Sequence, residues 1–548
     1  MTNGFEFWDY AVFIAYAILI LGVGLWVSRD KAGHEKNAED YFLASKSLPW
    51  WAIGTSLIAA NISAEQFIGM SGSGFALGLA IASYEWMAAI TLIIVGKYFL
   101  PIFIEKGLYT IPEFVEKRFS TNLKTILAVF WIALYVFVNL ASVLYLGGLA
   151  IETIMGIDIM YAVIGLALFA AAYSLYGGLS AVAWTDVIQV VFLVLGGLAT
   201  TYLALNTVSG GEGVMAGLYK VMDAAPEKFH MILDEFNSDG TANPNYLDLP
   251  GVWVLIGGLW VANIYYWGFN QYIIQRTLAA KSLKESQKGI LLAAGLKIII
   301  PLIVVIPGIA AYVMVNDPFI MAGLGEAGQL NLPSTEQADK AYPWLLQFLP
   351  TGLKGVAFAA LAAAIVSSLA SMLNSTSTIF TMDIYKPYID NNASDKTTVN
   401  VGRVSAAVAL LIAVIMAPLL GGIDQAFQFI QEWTGVVSPG ILAVFTLGLF
   451  WKKTTNNAAI WGALLSIPIA LLLKYLPIAA LEPWIHQMGL TAVLTMLVII
   501  IISYLQNKGE NDEKGIALSK ELFKTSPLFN IGAFVVCLVT ATLYCLFW

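Results

Sequence analysis

Five charged or amide side chains stand inside long apolar runs of this sequence. They are Gln66, Glu85, Asn263, Lys297 and Gln431. At about 1.5 Å of rise per helical residue, the lysine lies roughly 14 Å from the inner end of its run, and the other four lie roughly 9–19 Å from the outer ends of theirs. All five can therefore meet in one cavity. Polar groups at such depth find a partner or line a path. This set of donors and acceptors has no surplus positive charge, which suits a neutral polyhydroxyl solute better than an anion.

Aromatic residues stand close to these polar groups in the sequence: Tyr84, Tyr266, Trp267 and Phe427. Their flat faces can contact the C–H side of a ring-shaped solute and exclude water. A structural interpretation is also open. In it, Glu85 and Lys297 form an ion pair that only supports the fold, and the amides form hydrogen bonds between helices. The aromatic rings are then packing residues or belong to the membrane interface.

A second pattern is the uncharged, hydroxyl-rich run AAAIVSSLASMLNSTST at 362–378. Ser367 and Ser368 lie about 24 Å below the outer end of this run, at a depth similar to that of the backbone carbonyls of 58–62. Hard cations take oxygen ligands, so these hydroxyls and carbonyls can form a five-oxygen sodium site without a carboxylate. Alternatively, the small residues only allow close helix packing. Asp186 is a further acid in an apolar run, and it is either an ion or proton group near the site or an ion-paired strut.

The elements that must position these groups are membrane helices. Hydrophobic residues make up 59% of the chain, charged residues make up 12%, and the mean hydropathy is +0.77. A membrane helix needs roughly 20 apolar residues, and about fourteen stretches meet this requirement. The sequence therefore predicts an all-α polytopic membrane protein. The stretches are 8–28, 48–72, 76–104, 123–150, 159–177, 180–206, 250–273, 286–315, 352–385, 400–420, 424–451, 456–477, 484–505 and 528–547.

Two of these stretches are interrupted by polar residues. The second contains IAANISAEQ at 58–66, the seventh contains WVANIYYWGFNQ at 260–271, and both include Ala-Asn-Ile. An odd number of helices separates their starts, so the two stretches cross the membrane in opposite directions. Inverted repeats have this layout, and the broken first helix of each copy carries substrate and ion sites. We therefore expect an inverted five-plus-five helix repeat with a broken first helix in each repeat.

This repeat divides the chain without creating separate domains. We expect a single transmembrane transporter unit over 1–548. Its parts are an extra N-terminal helix at 8–28, a first repeat at 48–206, an inverted second repeat at 250–451 and three peripheral helices at 456–548.

The distribution of basic residues predicts the topology. The N-terminal segment MTNGFEFWDY has two acids and no base, whereas Arg29 and Lys31 follow the first stretch directly. This segment lacks the basic start of a cleavable signal peptide. With the N-terminus outside, most of the 28 Lys and Arg residues fall in cytoplasmic loops, as the positive-inside rule requires. An even number of helices then places both termini on the periplasmic side of a bacterial inner membrane.

Other classes of function find no support in the sequence. The net charge of −8 argues against a nucleic-acid partner. Both cysteines, Cys537 and Cys545, fall on the last helix and provide no disulfide framework. The sequence has no Gly-Lys-Ser/Thr phosphate loop, no HExxH motif and no obvious nucleophile elbow. We therefore expect no enzyme and no cofactor, and we expect any active transport to draw on an ion gradient.

Three segments outside the membrane have some predicted structure. The external segments 207–249 and 316–351 are acidic and too small for catalytic domains, so we expect short helices or lids. On the inner side, Thr110 and Glu113 have the spacing of a capping box, and Pro112 suits a first helical turn. This pattern predicts a short interfacial helix over 111–119.

Several motifs resemble those of the solute:sodium symporter family. They are DYFLASKSLPWW at 40–51, YTIPEFVEKRF at 109–119, YGGLSAVAWTD at 176–186, QRT at 275–277 and the serine-rich run at 362–378. The resemblance extends over nearly the whole chain. It implies alternating access through an inverted helix repeat, with import of a monosaccharide, galactose or glucose, together with sodium.

The matched motifs also imply roles for single residues. The implied sugar ligands are Gln66, Glu85, Asn263, Lys297 and Gln431, with Asn61 close by and Tyr266 stacked on the sugar as an inner gate. The other implied gate residues are Met70, Tyr84, Phe427 and Trp267. The implied sodium ligands are the carbonyls of Ala59, Ile62 and Ala364 and the hydroxyls of Ser367 and Ser368, with Asp186 on the ion pathway. Phe429 and Trp433 replace the tyrosines expected beside Gln431, which puts sugar preference in doubt.

We therefore expect a sodium-coupled monosaccharide symporter, with sodium as a co-substrate and with the sugar and the lipid bilayer as its other partners. One alternative is a sodium symporter of the same fold for inositol, an amino acid or sialic acid. Another is a membrane sugar sensor that no longer transports, although no cytoplasmic loop is long enough for an output domain. The sequence leaves the oligomeric state open.

Overall fold

The computed structural model describes residues 5–27, 29, 37–108, 110–237, 239–421 and 426–548. These residues form helices and connecting loops, with two isolated backbone bridges, one between Leu48 and Ala280 and one between Phe236 and Ala242. Lys31, which entered the topology prediction, lies outside the described residues. The described part of the chain is therefore all-helical, as predicted.

Eleven helices in the described residues are long and apolar enough to cross a bilayer, and each coincides with one of the predicted stretches. They are Phe7–Val27, Leu79–Glu105, Thr121–Met155, Gly178–Ser209, Leu283–Asn316, Leu353–Tyr388, Asp395–Leu420, Ala426–Phe450, Asn456–Tyr475, Trp484–Asn507 and Pro527–Leu546. The chain is therefore a multi-pass membrane protein.

The other three predicted stretches have shorter or interrupted helices. Stretch 159–177 belongs to a bent helix, Ile159–Ser209, whose backbone leaves helical geometry at Gly178 with φ 63°. Stretch 48–72 divides into Trp50–Asn61, a π-helical turn at Glu65–Met70, and Ser71–Leu77. Stretch 250–273 divides into Trp253–Ile256, Leu259–Ile264, a π-helical turn at Tyr265–Phe269, and the start of Gln271–Leu278. The two predicted interruptions are thus confirmed.

Eight helices position the residues of interest, and we label them in chain order. They are α1 (Trp50–Asn61), α2 (Ser83–Ile94), α3 (Ile159–Ser209), α4 (Leu259–Ile264), α5 (Gln271–Leu278), α6 (Leu283–Asn316), α7 (Leu353–Ile379) and α8 (Ala426–Phe450).

The first break follows α1 directly. The Ile62 N–H makes the last helical bond, 2.8 Å to the Ile58 carbonyl, and Ile62 itself then turns to φ −77° and ψ 96°. Beyond this point, the Ser63 N–H donates to Oε1 of Gln66 at 3.0 Å, and the Glu65 N–H donates to Oγ of Ser63 at 3.0 Å. Side chains therefore satisfy backbone groups that a continuous helix would have paired, which an apolar surrounding requires.

The second break lies at Asn270, between the π-helical turn and α5, where φ is −82° and ψ is 118°. A side chain from another membrane helix holds this break. The Tyr135 hydroxyl donates to Oδ1 of Asn270 and accepts the Gln271 N–H at 2.9 Å. Both interruptions are therefore built from specific polar contacts of the chain.

Small residues allow the long helices to pack closely. A Cβ atom placed on Gly196 of α3 would lie 2.4 Å from the Cβ of Ala360 on α7. A Cβ atom on Gly308 of α6 would lie 2.0 Å from the Ser71 carbonyl oxygen. No side chain fits at such distances, so glycine is required at both crossings. The span that contains α7 is almost entirely buried, and this places its serines in the protein interior.

Short helices occupy the segments outside the membrane helices. They are Ala38–Leu43, Ile111–Arg118, Val214–Ala224, Pro318–Gln329 and Ala341–Leu346. The short helix predicted over 111–119 is confirmed as Ile111–Arg118, one residue shorter than predicted. Its N-cap is Thr110, whose side chain accepts the Glu113 N–H at 3.1 Å, and Pro112 lies in the first turn.

Candidate functional site

One cavity brings together every predicted sugar and gate residue. The empty space between its wall atoms is about 700 Å³, part of which is open to solvent. The predicted residues in its wall are Asn61, Gln66, Met70, Tyr84, Glu85, Asn263, Tyr266, Trp267, Lys297, Phe427 and Gln431. The depth estimate made from the sequence therefore gave the correct neighbourhood for all five polar residues. Their roles in binding stay a prediction.

A buried ion pair dominates the electrostatics of this cavity. Nζ of Lys297 on α6 lies 2.5 Å from Oε2 of Glu85 on α2, and the two side chains are 1% and 3% exposed. The same ammonium group donates to Oδ1 of Asn61, the last residue of α1. It also lies 5.2 Å from the centre of the Trp267 ring, within range of a cation–π interaction. The positive charge is therefore held by several groups at once.

A chain of hydrogen bonds continues from this pair to two tyrosines. Nδ2 of Asn61 donates to the Tyr266 hydroxyl at 3.0 Å. The Tyr272 hydroxyl donates to the same oxygen at 2.9 Å. Tyr266 and Trp267 contact each other edge to face, with ring centres 5.2 Å apart. The predicted inner gate is thus joined to the ion pair through Asn61.

The cavity amides are partly engaged with the backbone. Nδ2 of Asn263 donates to the Leu259 carbonyl one turn earlier at 3.1 Å, which leaves its Oδ1 free to face a ligand. Oε1 of Gln66 accepts from the N–H and the hydroxyl of Ser63 at 3.0 and 3.2 Å. The amide nitrogen of Gln66 therefore remains available to donate to a solute.

Two of the three predicted outer-gate residues are in contact, and the third lies in the same cavity wall. The rings of Tyr84 and Phe427 meet edge to face with centres 5.0 Å apart, and Met70 is fully buried in the same wall. A Cβ atom on Gly69 would lie 2.9 Å from the Cβ of Phe427, so the chain leaves no space between them. These residues form a largely apolar part of the cavity wall.

The predicted sodium ligands lie where α1 ends against α7. Their side chains are buried, and the five residues are Ala59, Ile62, Ala364, Ser367 and Ser368. The Ser368 hydroxyl donates to the Ala60 carbonyl at 3.1 Å, which joins the two helices at this level. The described residues contain no group of three or more His, Cys, Asp or Glu side chains placed to hold a metal ion.

Asp186 on α3 stands beside this region and has a positive partner. Its two oxygens accept from the hydroxyls of Ser56 and Ser367, each at 2.5 Å, and Oδ2 lies 3.4 Å from Nη2 of Arg276. Arg276 also donates to Ser56, to Ser371 and to the Tyr272 carbonyl. The ion-paired strut is thus present, and its contact with Ser367 also keeps the ion-pathway interpretation open.

Sequence reasoning missed several polar residues of the cavity wall. They are Glu65, Asn139, Asn270, Thr434 and Ser438. Oε1 of Glu65 is buried and has no hydrogen-bond partner among the described residues, which makes it a free acceptor. Its place beside Gln66 in the interrupted stretch was the available signal. Phe429 and Trp433, which flank Gln431 in the sequence, are not among the residues that line the cavity.

Comparison with known proteins finds a family whose sequence model matches this chain. The model of the sodium:solute symporter family matches residues 41–466. The sodium/glucose cotransporter of Vibrio parahaemolyticus is 66% identical over 548 residues, which cover 100% of this chain and 99% of that protein. The sodium/myo-inositol cotransporter 2 of Homo sapiens is 32% identical over 531 residues, which cover 91% of this chain and 76% of that protein.

A solved structure gives a similar fold. It is a Na⁺-coupled sialic acid symporter in a substrate-bound outward-open state, with a TM-score of 0.77, 24% sequence identity, and coverage of 91% of this chain and 98% of its own. At this identity the likeness concerns the fold alone. The family model, however, matches most of the chain, and the Vibrio relative aligns from end to end, so this chain belongs to the sodium:solute symporter family.

Proposed function

We propose that this chain is a sodium-coupled symporter that imports a monosaccharide, galactose or glucose, by alternating access. The observation that carries the proposal is the cavity in which a buried carboxylate–ammonium pair, six amide side chains and five aromatic rings meet. A sugar presents hydroxyl groups that both donate and accept, around a ring with an apolar face. The name of the 66% identical relative, a sodium/glucose cotransporter, supports the same class of solute.

The polar residues of the cavity would bind the sugar hydroxyls directly. Glu85 would accept from them, Lys297 would donate to them, and the free oxygen of Asn263 would accept. Hydrogen bonds to ionised groups are about twice as strong as neutral ones, and their strength rises where water is excluded. Gln66, Gln431 and Asn61 would complete the shell, with Tyr266 stacked on the sugar ring.

Sodium would bind between α1 and α7, on the carbonyls of Ala59, Ile62 and Ala364 and the hydroxyls of Ser367 and Ser368. Two observations support this assignment. The helical backbone ends at Ile62, and the Ser63 N–H donates to Gln66 rather than to the Ala59 carbonyl. Ser367 already donates to Asp186, so that carboxylate is placed to assist the ion as it enters or leaves.

Coupling would follow from differential binding of the two solutes. Sodium at the end of α1 would stabilise the outward-open form, and sodium with sugar would shift the population inward. A ligand changes such an equilibrium only to the extent that it binds the two forms with different affinity. Because Asn61 and the carbonyls of Ala59 and Ile62 lie together at the end of α1, one broken helix would contact both sites.

The same proposal includes the finer architecture and the location. We propose fourteen membrane helices in an inverted five-plus-five repeat, flanked by one N-terminal and three C-terminal helices. Interruption of both 48–72 and 250–273 supports this arrangement, since each repeat would begin with a broken helix. The bias of basic residues toward one set of loops supports a bacterial inner membrane with both termini outside.

Another polyol is the second candidate solute. The human relative at 32% identity is a sodium/myo-inositol cotransporter, and the cavity groups named above do not by themselves distinguish a hexose from an inositol. A competition experiment with unlabelled sugars decides between the two candidates.

Uptake of labelled galactose into proteoliposomes tests the proposed function. An inward sodium gradient should drive accumulation above equilibrium, whereas equimolar choline should not. Excess unlabelled glucose should compete, and myo-inositol should compete less. Equilibration without accumulation would contradict sodium coupling. Absence of galactose entry by correctly inserted protein, combined with sodium-driven inositol uptake, would replace the sugar with the second candidate.

A further inference from the structure

Gln66 contacts two parts of the molecule at once. It lines the central cavity, and its side-chain oxygen accepts from the N–H of Ser63 at 3.0 Å and from the Ser63 hydroxyl at 3.2 Å. Gln66 is 6% exposed and Ser63 is 2% exposed, so neither group can exchange these bonds freely with bulk water. The glutamine therefore closes the break in the first interrupted stretch as well as facing the solute space.

The contact with Ser63 bears on the backbone carbonyl of Ala59. In a continuous α-helix each N–H donates to the carbonyl four residues earlier, so Ser63 would donate to Ala59. Here the Ser63 N–H donates to Gln66 instead, and the last regular bond of α1 is the one from Ile62 to Ile58. The Gln66 side chain thereby keeps the Ala59 carbonyl free of its helical partner and holds Ile62 in its extended conformation.

We propose that Gln66 is a positioning residue of the sodium site and passes sodium occupancy to the sugar cavity. This inference rests on the proposed function, because Ala59 and Ile62 are two of the proposed sodium ligands. The amide oxygen shapes the carbonyl end of α1, and the amide nitrogen faces the solute. A sugar that bonds to the nitrogen orients the same amide that holds the broken backbone, so each solute favours the geometry that the other needs.

A sodium titration without sugar tests this role. The thermal midpoint of purified protein is measured as sodium replaces choline at constant ionic strength, for the native chain, Gln66→Met and Gln66→Glu. Methionine has no strong acceptor, so loss of the bonds from Ser63 should raise the half-effective sodium concentration by about 10-fold. Glutamate keeps the acceptor oxygens and should retain the native sodium response. It loses the amide nitrogen, so its half-saturating galactose concentration in uptake should rise.

The matched control is Glu85→Gln, another change in the cavity wall that does not touch Ser63. It should weaken galactose uptake. The half-effective sodium concentration measured without sugar should stay unchanged. If Gln66→Met does not fold, Gln66→Asn provides a second route. Its side chain is one methylene shorter, so its oxygen cannot take the place of the Gln66 oxygen at the Ser63 N–H, and the half-effective sodium concentration should rise as well.

The outcomes separate this inference from the proposed function. An unchanged half-effective sodium concentration in Gln66→Met, or in Gln66→Asn where that variant has to be used, would overturn the positioning role while the sodium symporter stands. A Gln66→Glu variant whose sodium response is as weak as that of Gln66→Met would also overturn it. A native protein that sodium does not stabilise would contradict the sodium site itself.

Discussion

Lys297 and Glu85 meet at 2.5 Å in the wall of the cavity, from two different helices and with almost no solvent exposure. Buried ion pairs contribute little net stability, because desolvation of both charges offsets most of their attraction. Close packing of apolar residues would support the fold as well. The presence of both charges beside six amides and several aromatic rings is therefore explained better by a solute than by the fold.

The ion pair gives a prediction that separates the binding and structural interpretations. Lys297→Ala should abolish galactose uptake and lower the free energy of unfolding by about 3–5 kcal/mol, because Glu85 is left buried without a partner. The double variant Lys297→Met with Glu85→Gln removes both charges and should recover most of that stability while uptake stays absent. Thermal unfolding and proteoliposome uptake measure the two effects. Normal uptake by the restored double variant would support a purely structural pair.

The serine pair on α7 gives a second prediction. Ser368→Ala removes a proposed sodium ligand and the 3.1 Å bond to the Ala60 carbonyl. The sodium concentration for half-maximal uptake should rise, while the ranking of competing sugars should stay the same. Ser377→Ala is a matched control, since Ser377 is also buried on α7 but lies about two and a half turns further along. Equal sodium activation curves for Ser368→Ala and Ser377→Ala would contradict the assignment.

Asp186 gives a third prediction, which addresses its two interpretations. Asp186→Asn keeps the shape of the side chain but leaves Arg276 buried without its negative partner, so the protein should lose stability. Asp186→Asn combined with Arg276→Met should restore stability. We expect sodium-driven uptake to stay slow in this double variant, because Ser367 no longer contacts a carboxylate. Full recovery of the sodium-driven rate would reduce Asp186 to a strut, and stopped-flow uptake distinguishes the two results.

The composition of the cavity was predictable from the sequence because a membrane restricts where polar groups can lie. Glu85 and Lys297 are rare charges in apolar runs, and helical rise alone placed them at compatible depth. Rotation of each helix about its axis was not predictable in this way. The approach of Tyr272 to Tyr266 and of Arg276 to Asp186 depends on that rotation, and neither contact was foreseen.

The two broken helices show the same limit of prediction from sequence, here for the backbone. Polar residues within 58–66 and 260–271 predicted that helices would be interrupted there, and the breaks follow Asn61 and Phe269. The groups that hold the breaks were not predictable. One is a neighbour in sequence, Gln66, and the other is Tyr135, which is more than a hundred residues away from Asn270. Tertiary contacts of this kind leave no local pattern in the sequence.

An acid outside the membrane helices gives a prediction about how the stability of the fold depends on pH. Asp248 lies in the loop before Trp253, where burial and the nearby charge of Glu432 raise the pKa of its carboxyl group from 3.8 to about 6. A raised pKa means that the folded protein keeps this proton to higher pH than the unfolded chain does. The stability contributed by protonated Asp248 is therefore present below about pH 4 and is lost as the pH rises to about 6.

Asp248→Asn should remove this loss, because asparagine stays neutral at every pH. At pH 7.5 the variant should have a higher thermal midpoint than the native protein, and the difference should shrink as the pH falls below 6, the folded pKa. Asp239→Asn is the matched control in the same loop segment. Hydrogen bonds from Thr241 lower the pKa of Asp239, so this change should bring no gain at pH 7.5. A thermal midpoint for Asp248→Asn equal to the native value across this range would show that Asp248 ionises in the folded protein as readily as in the unfolded chain.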